Sequence, residues 1–373
     1  MLKFKMPMGT IRTESPLPRY YQLSRIIKRQ VINKKEFSAG SAIPSIPSLM
    51  KEYQVSQSTV RQAVGTLVKE GILYTDHGRG TFVRPDHNSM ERTGLIGVLV
   101  RDLKEPYIWA EVARAVEEEV YQDGGNLFLS HTDNSYQKFK KYIRFYQERK
   151  VDGLIITPLL SDKYEELNLS ILCQVEKASI PYVLIDGYLE NHPADCVIIN
   201  NEEMGYLLTR HLLEQSYRRI AFISGQYCSS IGGRLNGYKK ALKEAGIPYN
   251  ENLVSFSRGR FQENAYLLTK NLLIKQNPDA FFGANDVFAA SAFKAIEERG
   301  LNVPKDIGLV GFDDSTIAYK LKVPLTTVRQ PREKIGEKAA QLLKKRMEDP
   351  DKKPEKVVVP AKLIIRESSR RKI

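Results

Sequence analysis

The chain has little of what disulfide-linked, metal-binding and membrane proteins need. Its 373 residues include three cysteines, with no C-x-x-C pair, and five histidines without ligand spacing. No apolar run approaches the ~18 residues of a membrane span, and no apolar segment precedes a small-residue cleavage site. We therefore expect a cytoplasmic protein with inert reduced thiols (Cys173, Cys196 and Cys228) and without a metal, a cofactor or a signal peptide.

Catalytic signatures are missing too. No G-x-S-x-G, P-loop or H-E-x-x-H occurs, and the adjacent carboxylates Asp313 and Asp314 need not converge on a substrate. We expect a binding protein rather than an enzyme. A transport-type sugar-binding protein is the alternative, but it does not explain the distribution of charge.

Positive charge is concentrated at one end of the chain. The net charge is +13, and residues 1–93 hold 15 Lys and Arg against 7 Asp and Glu. The remaining 280 residues hold 42 Lys and Arg against 37 Asp and Glu. This asymmetry is typical of a nucleic-acid-binding end, and the length predicts two or three domains.

Residues 18–84 have the pattern of three helices and a hairpin, after a flexible basic arm over 1–17. Apolar residues at helical spacing predict a helix over about 20–31 and a second helix from Ser45. A third helix, in V-S-Q-S-T-V-R-Q-A-V-G-T-L at 55–67, has Ser56 as its N-cap and a polar face that suits a DNA major groove. On its own, this pattern favours a solvated amphipathic helix, and it is the neighbouring elements that favour DNA binding. The polar face consists of Gln57, Ser58, Arg61 and Gln62.

Two β-prone runs, 72–75 and 81–83, follow the third helix and flank a small basic tip. They predict a β-hairpin whose tip, with His77 and Arg79, can approach phosphates closely. A hairpin directly after a helix-turn-helix forms a winged helix.

These residues resemble the GntR family of winged-helix repressors. The matching motifs are I-P-S at 43–45, V-S-Q-S-T-V-R-Q-A at 55–63, L-V-K-E-G-I-L at 67–73 and H-G-R-G-T-F-V at 77–83. The chain departs from the family at Pro47 and Gln57, so an operator sequence cannot be transferred from other members. The resemblance implies DNA contacts by Ser45, Gln57, Ser58, Thr59, Arg61, His77, Gly78, Arg79 and Gly80.

A polar linker at 85–93 precedes a different pattern. Short apolar runs at 95–100, 127–129, 154–156, 182–185, 220–223, 280–283 and 307–311 alternate with helical stretches at 109–122, 135–149, 202–215, 232–245, 262–275 and 286–299. Such alternation predicts an α/β fold with parallel sheets and flanking helices, and 94–373 is long enough for two lobes.

Ligands of open α/β sheets bind outside the carboxyl ends of the strands. The residues at these positions are rich in carboxylates and amides, which suit sugar hydroxyls, and aromatic faces stand nearby in sequence. For each residue, a helix cap or a turn is an equally good interpretation. The strand-end residues are Arg101, Asp102, Thr157, Pro158, Asp186, Ser224, Asn285, Asp286, Asp313 and Asp314, and the aromatic ones are Tyr107, Trp109 and Phe312.

Residues 94–373 also resemble the core of LacI-type regulators. The motifs include I-G-V-L-V at 96–100, V-D-G-L-I at 151–155, R-L-N-G-Y at 234–238, A-N-D at 284–286 and V-P-K-D-I-G-L-V-G-F-D-D at 303–314. The resemblance implies a two-lobed fold, related to periplasmic sugar-binding proteins, that closes on its ligand. It implies sugar contacts by Asp186, Arg234, Asn285 and Asp313.

A GntR-type head on a LacI-type body resembles the arabinose-responsive repressors. This resemblance implies a homodimer that binds double-stranded operator DNA and is released by a small sugar. L-arabinose is the leading effector, and another pentose, a hexose or a sugar phosphate is the alternative.

Overall fold

A computed structural model describes residues 11, 18–32, 37–76, 78–85, 92–103, 108–257, 261–350 and 352–371. The chain divides into two compact units between Arg92 and Thr93. The predicted basic arm and linker fall mostly outside the described residues.

The first unit is a winged helix-turn-helix. Its elements are α1 (Arg19–Ile32), α2 (Ile46–Tyr53), α3 (Gln57–Lys69), β1 (Leu73–Asp76) and β2 (Gly80–Val83). Ser45 and Ser56 cap α2 and α3, because each hydroxyl accepts a hydrogen bond from a backbone N–H of the first turn. Gln54 ends α2 with a φ of 52°, so the turn into α3 is a tight left-handed one.

The core of this unit lies between the helices and the hairpin. Leu23, Leu49, Val60, Leu67 and Val83 are all buried, so the apolar stripes predicted from sequence meet in one cluster. β1 pairs antiparallel with β2. The segment before α2 pairs with the other edge of β2, where Ile43 N–H donates to the carbonyl of Thr81 at 2.9 Å.

The second unit begins with a lobe of alternating strands and helices. In chain order these are β3 (Leu95–Val100), α4 (Ile108–Gln122), β4 (Asn126–His131), α5 (Tyr136–Glu148), β5 (Gly153–Ile156), α6 (Tyr164–Lys177), β6 (Tyr182–Ile185) and β7 (Cys196–Ile198).

The chain then crosses to a second lobe and returns. The second lobe contains α7 (Asn201–Glu214), β8 (Ile220–Ser224), α8 (Ser229–Glu244), β9 (Val254–Phe256), α9 (Phe261–Lys275), β10 (Ala280–Gly283), α10 (Asp286–Glu298), β11 (Gly308–Val310), α11 (Thr316–Lys320) and β12 (Thr327–Arg329). The return to the first lobe contributes α12 (Arg332–Glu348) and β13 (Lys356–Val358), and β14 (Lys362–Ile364) then pairs with β12.

Each lobe is built on a parallel sheet, as predicted. The first sheet has the order β13-β7-β6-β5-β3-β4 and the second β11-β10-β8-β9, while β12 and β14 form an antiparallel pair. One buried apolar cluster includes Val98 and Val197 of the first lobe and Phe222 and Phe282 of the second. The lobes are therefore packed together and not merely tethered.

Close helix packing in the second lobe depends on a glycine. A Cβ at Gly237 of α8 would overlap the carbonyl oxygen of Glu202 and the backbone nitrogen of Tyr206 in α7. Only glycine lets the two helices approach this closely.

Candidate functional sites

Loops at the carboxyl ends of the two parallel sheets meet in the region between the lobes, here called the cleft. Ser161 N–H, after β5, donates to the carbonyl of Tyr227 at 3.1 Å, and Tyr188 N–H, after β6, donates to Ser229 Oγ at 3.0 Å. The cleft between the lobes is thus bordered by direct hydrogen bonds from one lobe to the other.

The first lobe brings a carboxylate, a guanidinium and an indole together in this cleft. Arg101 donates to Asp186 Oδ2 at 2.5 Å and to the carbonyl of Pro158 at 3.1 Å, and its guanidinium lies 4.9 Å from the centroid of the Trp109 ring. Burial disfavours the charged form of Arg101, but the neighbouring acidic groups, of which Asp186 is the main one, together outweigh this effect and hold the arginine pKa above its ordinary value. Sequence reasoning placed Arg101 at a strand end but did not single it out.

The second lobe contributes Arg234, which is only 5% exposed. Its Nε donates to Asn201 Oδ1 at 2.9 Å and its Nη1 to the carbonyl of Ala284 at 2.5 Å. The guanidinium lies 3.6 Å from the centroid of the Phe312 ring. Phe312 is fully buried and Arg234 covers one face of its ring, so a contribution of Phe312 to a sugar site stays a prediction.

Asp313 lies near both of these arginine sites and accepts a hydrogen bond from Gln330 Nε2 at 2.6 Å. Burial raises the pKa of Asp313 to about 6, although nearby Arg234 lowers it, and the charge of Asp186 adds to the increase. That effect of Asp186 places the carboxylates of the two lobes within electrostatic reach of each other. Both residues have a positive φ, of 59° at Asp186 and 112° at Asp313, and such strained backbones cluster at functional sites.

Two further strand-end carboxylates and one amide have structural partners. Asp286 accepts hydrogen bonds from Ser315 Oγ at 2.9 Å and from Thr327 Oγ1 at 2.7 Å. Asp314 turns to the other side of its loop and accepts from Arg366 Nη2 at 2.6 Å. Asn285 caps α10 by accepting from Phe288 N–H at 3.0 Å, which is its predicted alternative role, and its side chain stays half-buried beside the cleft.

Three buried hydroxyls at strand ends have no hydrogen-bond partner in the described part of the chain. They are Thr157 Oγ1 after β5, Ser224 Oγ at the end of β8 and Ser257 Oγ after β9. A buried hydroxyl without a partner costs about 1–3 kcal/mol, so an atom that bonds to it stabilises the protein. Of the other predicted ligands, Asp102 is half-buried and Tyr107 lies outside the described residues.

The polar face of α3 forms the second candidate site. Gln57, Ser58 and Arg61 are exposed and Thr59 is half-buried. The Ser56 hydroxyl lies 2.9 Å from both the Ser58 hydroxyl and the Thr59 hydroxyl, so these two side chains have fixed positions at the start of the helix. Ser45 is exposed at the start of α2, with its hydroxyl 3.0 Å from that of Ser48.

The hairpin tip adds one positive charge to this unit. The Arg79 side chain is 80% exposed and lies 3.7 Å from the Asp76 carboxylate. Gly78 and Gly80 have φ values of 79° and 128°, in the left-handed region that glycine favours, and they keep the tip narrow. His77 lies outside the described residues.

Other kinds of site are not found. The described residues contain no group of three or more His, Cys, Asp or Glu side chains able to hold a metal ion. None of the helices, over the same residues, is long and apolar enough to span a membrane.

Comparison with protein families gives a match for each unit. Residues 19–83 match the bacterial regulatory proteins of the gntR family, and residues 209–369 match the periplasmic binding protein-like domain.

Two curated relatives are transcriptional repressors. The arabinose metabolism transcriptional repressor of Geobacillus stearothermophilus is 33% identical over 336 residues, which cover 88% of this chain and 91% of the relative. The HTH-type transcriptional repressor PurR of Vibrio atlanticus is 35% identical over 262 residues, which cover 69% of this chain and 76% of the relative.

Solved structures of regulators have the same fold. The transcriptional regulator CelR in complex with cellobiose is similar with a TM-score of 0.68 and 27% identity, over 84% of this chain and 92% of that one. A LacI family transcriptional regulator of Enterococcus faecium with bound ribose gives a TM-score of 0.62 and 27% identity, over 74% of this chain and 98% of that one. All four relatives are regulators and not enzymes, as the sequence predicts.

Proposed function

The chain belongs to the family of transcriptional repressors that join a gntR-type head to a periplasmic-binding-protein-like body, and from this premise we propose that a small sugar releases it from operator DNA. L-arabinose is the first effector to test. The supporting observation is the polar cluster of Asp186, Arg101, Asp313 and Arg234, in which both lobes supply side chains to one cleft.

The chemistry of the cleft favours a ligand with many hydroxyls. Carboxylate oxygens accept from sugar hydroxyls, and guanidinium groups donate to them. The unpartnered hydroxyls of Thr157, Ser224 and Ser257 stand at the same edge of the sheets. A polyol can satisfy donors and acceptors of this kind together, whereas an apolar ligand would leave them unpaired.

The choice of L-arabinose follows the relative from Geobacillus stearothermophilus, whose name gives it a role in arabinose metabolism. Another pentose or a larger sugar is the second candidate, because the similar structures hold ribose and cellobiose. A few side chains around the cleft are enough to change which sugar binds.

On the DNA side, α3 enters the major groove and presents Gln57, Ser58 and Arg61 to base edges and phosphates, while Arg79 approaches the backbone from the hairpin. Two copies of the chain bind two half-sites with two-fold symmetry, as a homodimer in the cytoplasm. Sugar binding lowers operator affinity by a coupling free energy of about 1–3 kcal/mol.

Thermal unfolding in the presence of a sugar panel tests the effector. A ligand at ~1,000 times its dissociation constant stabilises the folded protein by about 4 kcal/mol, so the effector raises the melting temperature clearly above the other sugars. The same sugar must then release the protein from a duplex that it selects out of a random pool. A panel without any shift, or a sugar that binds without changing DNA affinity, contradicts the proposal.

A further inference from the structure

The first turn of α3 presents a glutamine side chain that the fold does not use. Gln57 is the first residue of the helix and is exposed, and its side chain makes no hydrogen bond to any described residue. The next two residues are hydrogen-bonded within the chain, because the hydroxyls of Ser58 and Thr59 each lie 2.9 Å from Oγ of Ser56, the cap of the helix. The amide of Gln57 is therefore the polar group of this turn that is left for a partner outside the chain.

The amide of a glutamine has a donor and an acceptor side by side, which are the Nε2 hydrogens and Oε1. On its major-groove edge, adenine offers the N7 acceptor next to the N6 donor. Guanine offers two acceptors, cytosine one donor, and thymine one acceptor beside a methyl group. Adenine is thus the base that satisfies both atoms of the amide at once. A glutamine that reaches a base edge therefore favours an A·T pair.

Arg61 supplies the positive charge closest to Gln57 along this helix. Among residues 57–64 it is the only charged one, and it is exposed. Residues four apart lie on the same side of a helix, so Arg61 and Gln57 share one strip and are separated by about 6 Å along the helix axis. This separation corresponds to roughly two base-pair steps of ~3.4 Å each. Arg61 can therefore contact a phosphate or a neighbouring base while Gln57 contacts a base pair of its own.

We propose that Gln57 is a specificity-determining residue of the DNA site: its Nε2 donates to N7 of an adenine in each half-site, and its Oε1 accepts from the N6 amine of the same base. The operator therefore carries an A·T pair at the position that faces the start of α3. An arginine in place of Gln57 would favour guanine instead, because the O6 and N7 atoms of guanine are both acceptors. This inference rests on the proposed operator binding and names a base pair that the operator contains.

Selection from a random duplex pool, followed by fluorescence anisotropy, tests the inference. The full chain first selects its operator, and each A·T pair of a half-site is then replaced in turn by G·C. At one position this change should lower the affinity of the wild-type chain by about fivefold or more, the effect of one bidentate contact. At the same position 7-deazaadenine, which lacks the N7 acceptor but still pairs with thymine, should lower the affinity by about threefold or more.

Two variants test whether Gln57 is responsible. Gln57→Ala should bind the A·T and G·C duplexes with equal affinity at this position, and 7-deazaadenine should not change its affinity. Gln57→Arg should prefer the G·C duplex by about fivefold or more. A preference that came from DNA shape alone would not depend on the N7 atom and would not be reversed by arginine.

Gln54→Gly is the matched control. Gln54 is an exposed glutamine in the turn before α3, and its φ of 52° suits glycine. This variant should keep the wild-type preference at every position. A Gln57→Ala protein that keeps the A·T preference, or that loses a preference for a G·C pair instead, overturns the inference while operator binding stands. If the wild-type chain selects no duplex, the proposed operator binding itself is wrong, and the inference is wrong with it.

Discussion

Arg332, at the start of α12, donates a hydrogen bond of 2.7 Å to Glu111 in the first turn of α4. The same guanidinium donates to the carbonyl oxygens of Asp313 at 2.7 Å and Asp314 at 3.1 Å. One side chain therefore joins the Asp313 loop of the second lobe to a helix of the first lobe. A displacement of the Asp313 loop on ligand binding would act on α4 through this contact.

Arg332→Met should reduce the allosteric coupling between sugar binding and operator binding more than it reduces the affinity for either ligand. The change removes the hydrogen bonds to both lobes, and Glu111 is 46% exposed, so water can solvate it afterwards. We expect the fold change in operator affinity caused by sugar to fall by about fivefold or more, the lower end of typical couplings. Fluorescence anisotropy of a labelled operator duplex, with and without sugar, measures this fold change.

Lys344→Met is the control for that experiment. Lys344 forms an ion pair of 2.7 Å with Asp123 near the other ends of α12 and α4, and within the described residues it makes no hydrogen bond to the Asp313 loop. If this variant reduces the coupling as much as Arg332→Met does, the helix pair as a whole and not Arg332 carries the effect.

Asp313→Asn should yield a repressor that no longer responds to sugar. The substitution keeps the size of the side chain but removes the negative charge that faces Arg234, and an amide that donates cannot replace both acceptor oxygens. Sugar affinity should fall by at least about tenfold, and operator affinity without sugar should stay unchanged. Titration of each ligand separately measures both, and a normal sugar response would remove Asp313 from the site.

Arg61→Ala should weaken operator binding and leave sugar binding unchanged. Arg61 is exposed on the polar face of α3, and loss of one base or phosphate contact costs about 1–3 kcal/mol. If Arg61 contacts a phosphate, the slope of the logarithm of the binding constant against the logarithm of the salt concentration should become shallower by about one unit. If Arg61 contacts a base, the variant should discriminate less between operator sequences. Equal losses of DNA and sugar affinity would instead point to misfolding.

Much of the fold could be predicted because its signals are local. Ser45 and Ser56 begin helices that the apolar spacing already predicted, and the runs at 95–100, 182–185 and 280–283 coincide with strands. The elements that were not predicted are the helices α6, α11 and α12 and the short strands β7, β9, β12, β13 and β14. β7, with only three residues, is defined by its parallel neighbours β6 and β13, which no local pattern reveals.

The site could be predicted only in part, for a related reason. Position after a strand indicated Asp186 and Asp313, but the hydrogen bonds of these carboxylates to residues distant in sequence decide what each one does. Arg234 is buried against Phe312, although its position in a helix also fitted an exposed arginine. Gln330, between β12 and α12, and Arg332, the first residue of α12, donate to Asp313. Neither follows a strand of a parallel sheet, so the strand-end rule did not indicate them.

Stability should fall as the pH rises from 5 to 8, in part because of Asp286. Burial, with a further contribution from Asp313, raises the pKa of Asp286 to about 7 from its ordinary value near 4. Between pH 4 and pH 7 the folded protein therefore keeps a proton on Asp286 that the unfolded chain releases. The contribution of this proton to the free energy of unfolding is complete below pH 4 and is lost as the pH rises through 7.

Asp286→Asn should make the melting temperature less dependent on pH in this range. The Asn carbonyl can still accept from Ser315, and its amide can donate to Thr327 Oγ1, so the neutral hydrogen-bond network persists. Differential scanning calorimetry at pH 5 and pH 8 measures the change. Asp123→Asn, at an exposed carboxylate, should keep the wild-type dependence, and an unchanged dependence in Asp286→Asn would assign the proton to another group.

Gly237→Ala and Gly65→Ala should change stability in opposite directions, although both replace a helical glycine with alanine. At Gly237 the new methyl group overlaps backbone atoms of Glu202 and Tyr206. Backbone cannot move aside as a side chain can, so α7 and α8 must separate and the free energy of unfolding of the second unit should fall by about 1–3 kcal/mol.

At Gly65 of α3 nothing lies within 4 Å of the new Cβ. Alanine therefore only reduces the entropy of the unfolded chain, and the first unit should gain about 0.5–1 kcal/mol. Calorimetry of the full chain can follow both changes, and a Gly237→Ala protein as stable as the wild type would show that the two helices tolerate a wider spacing.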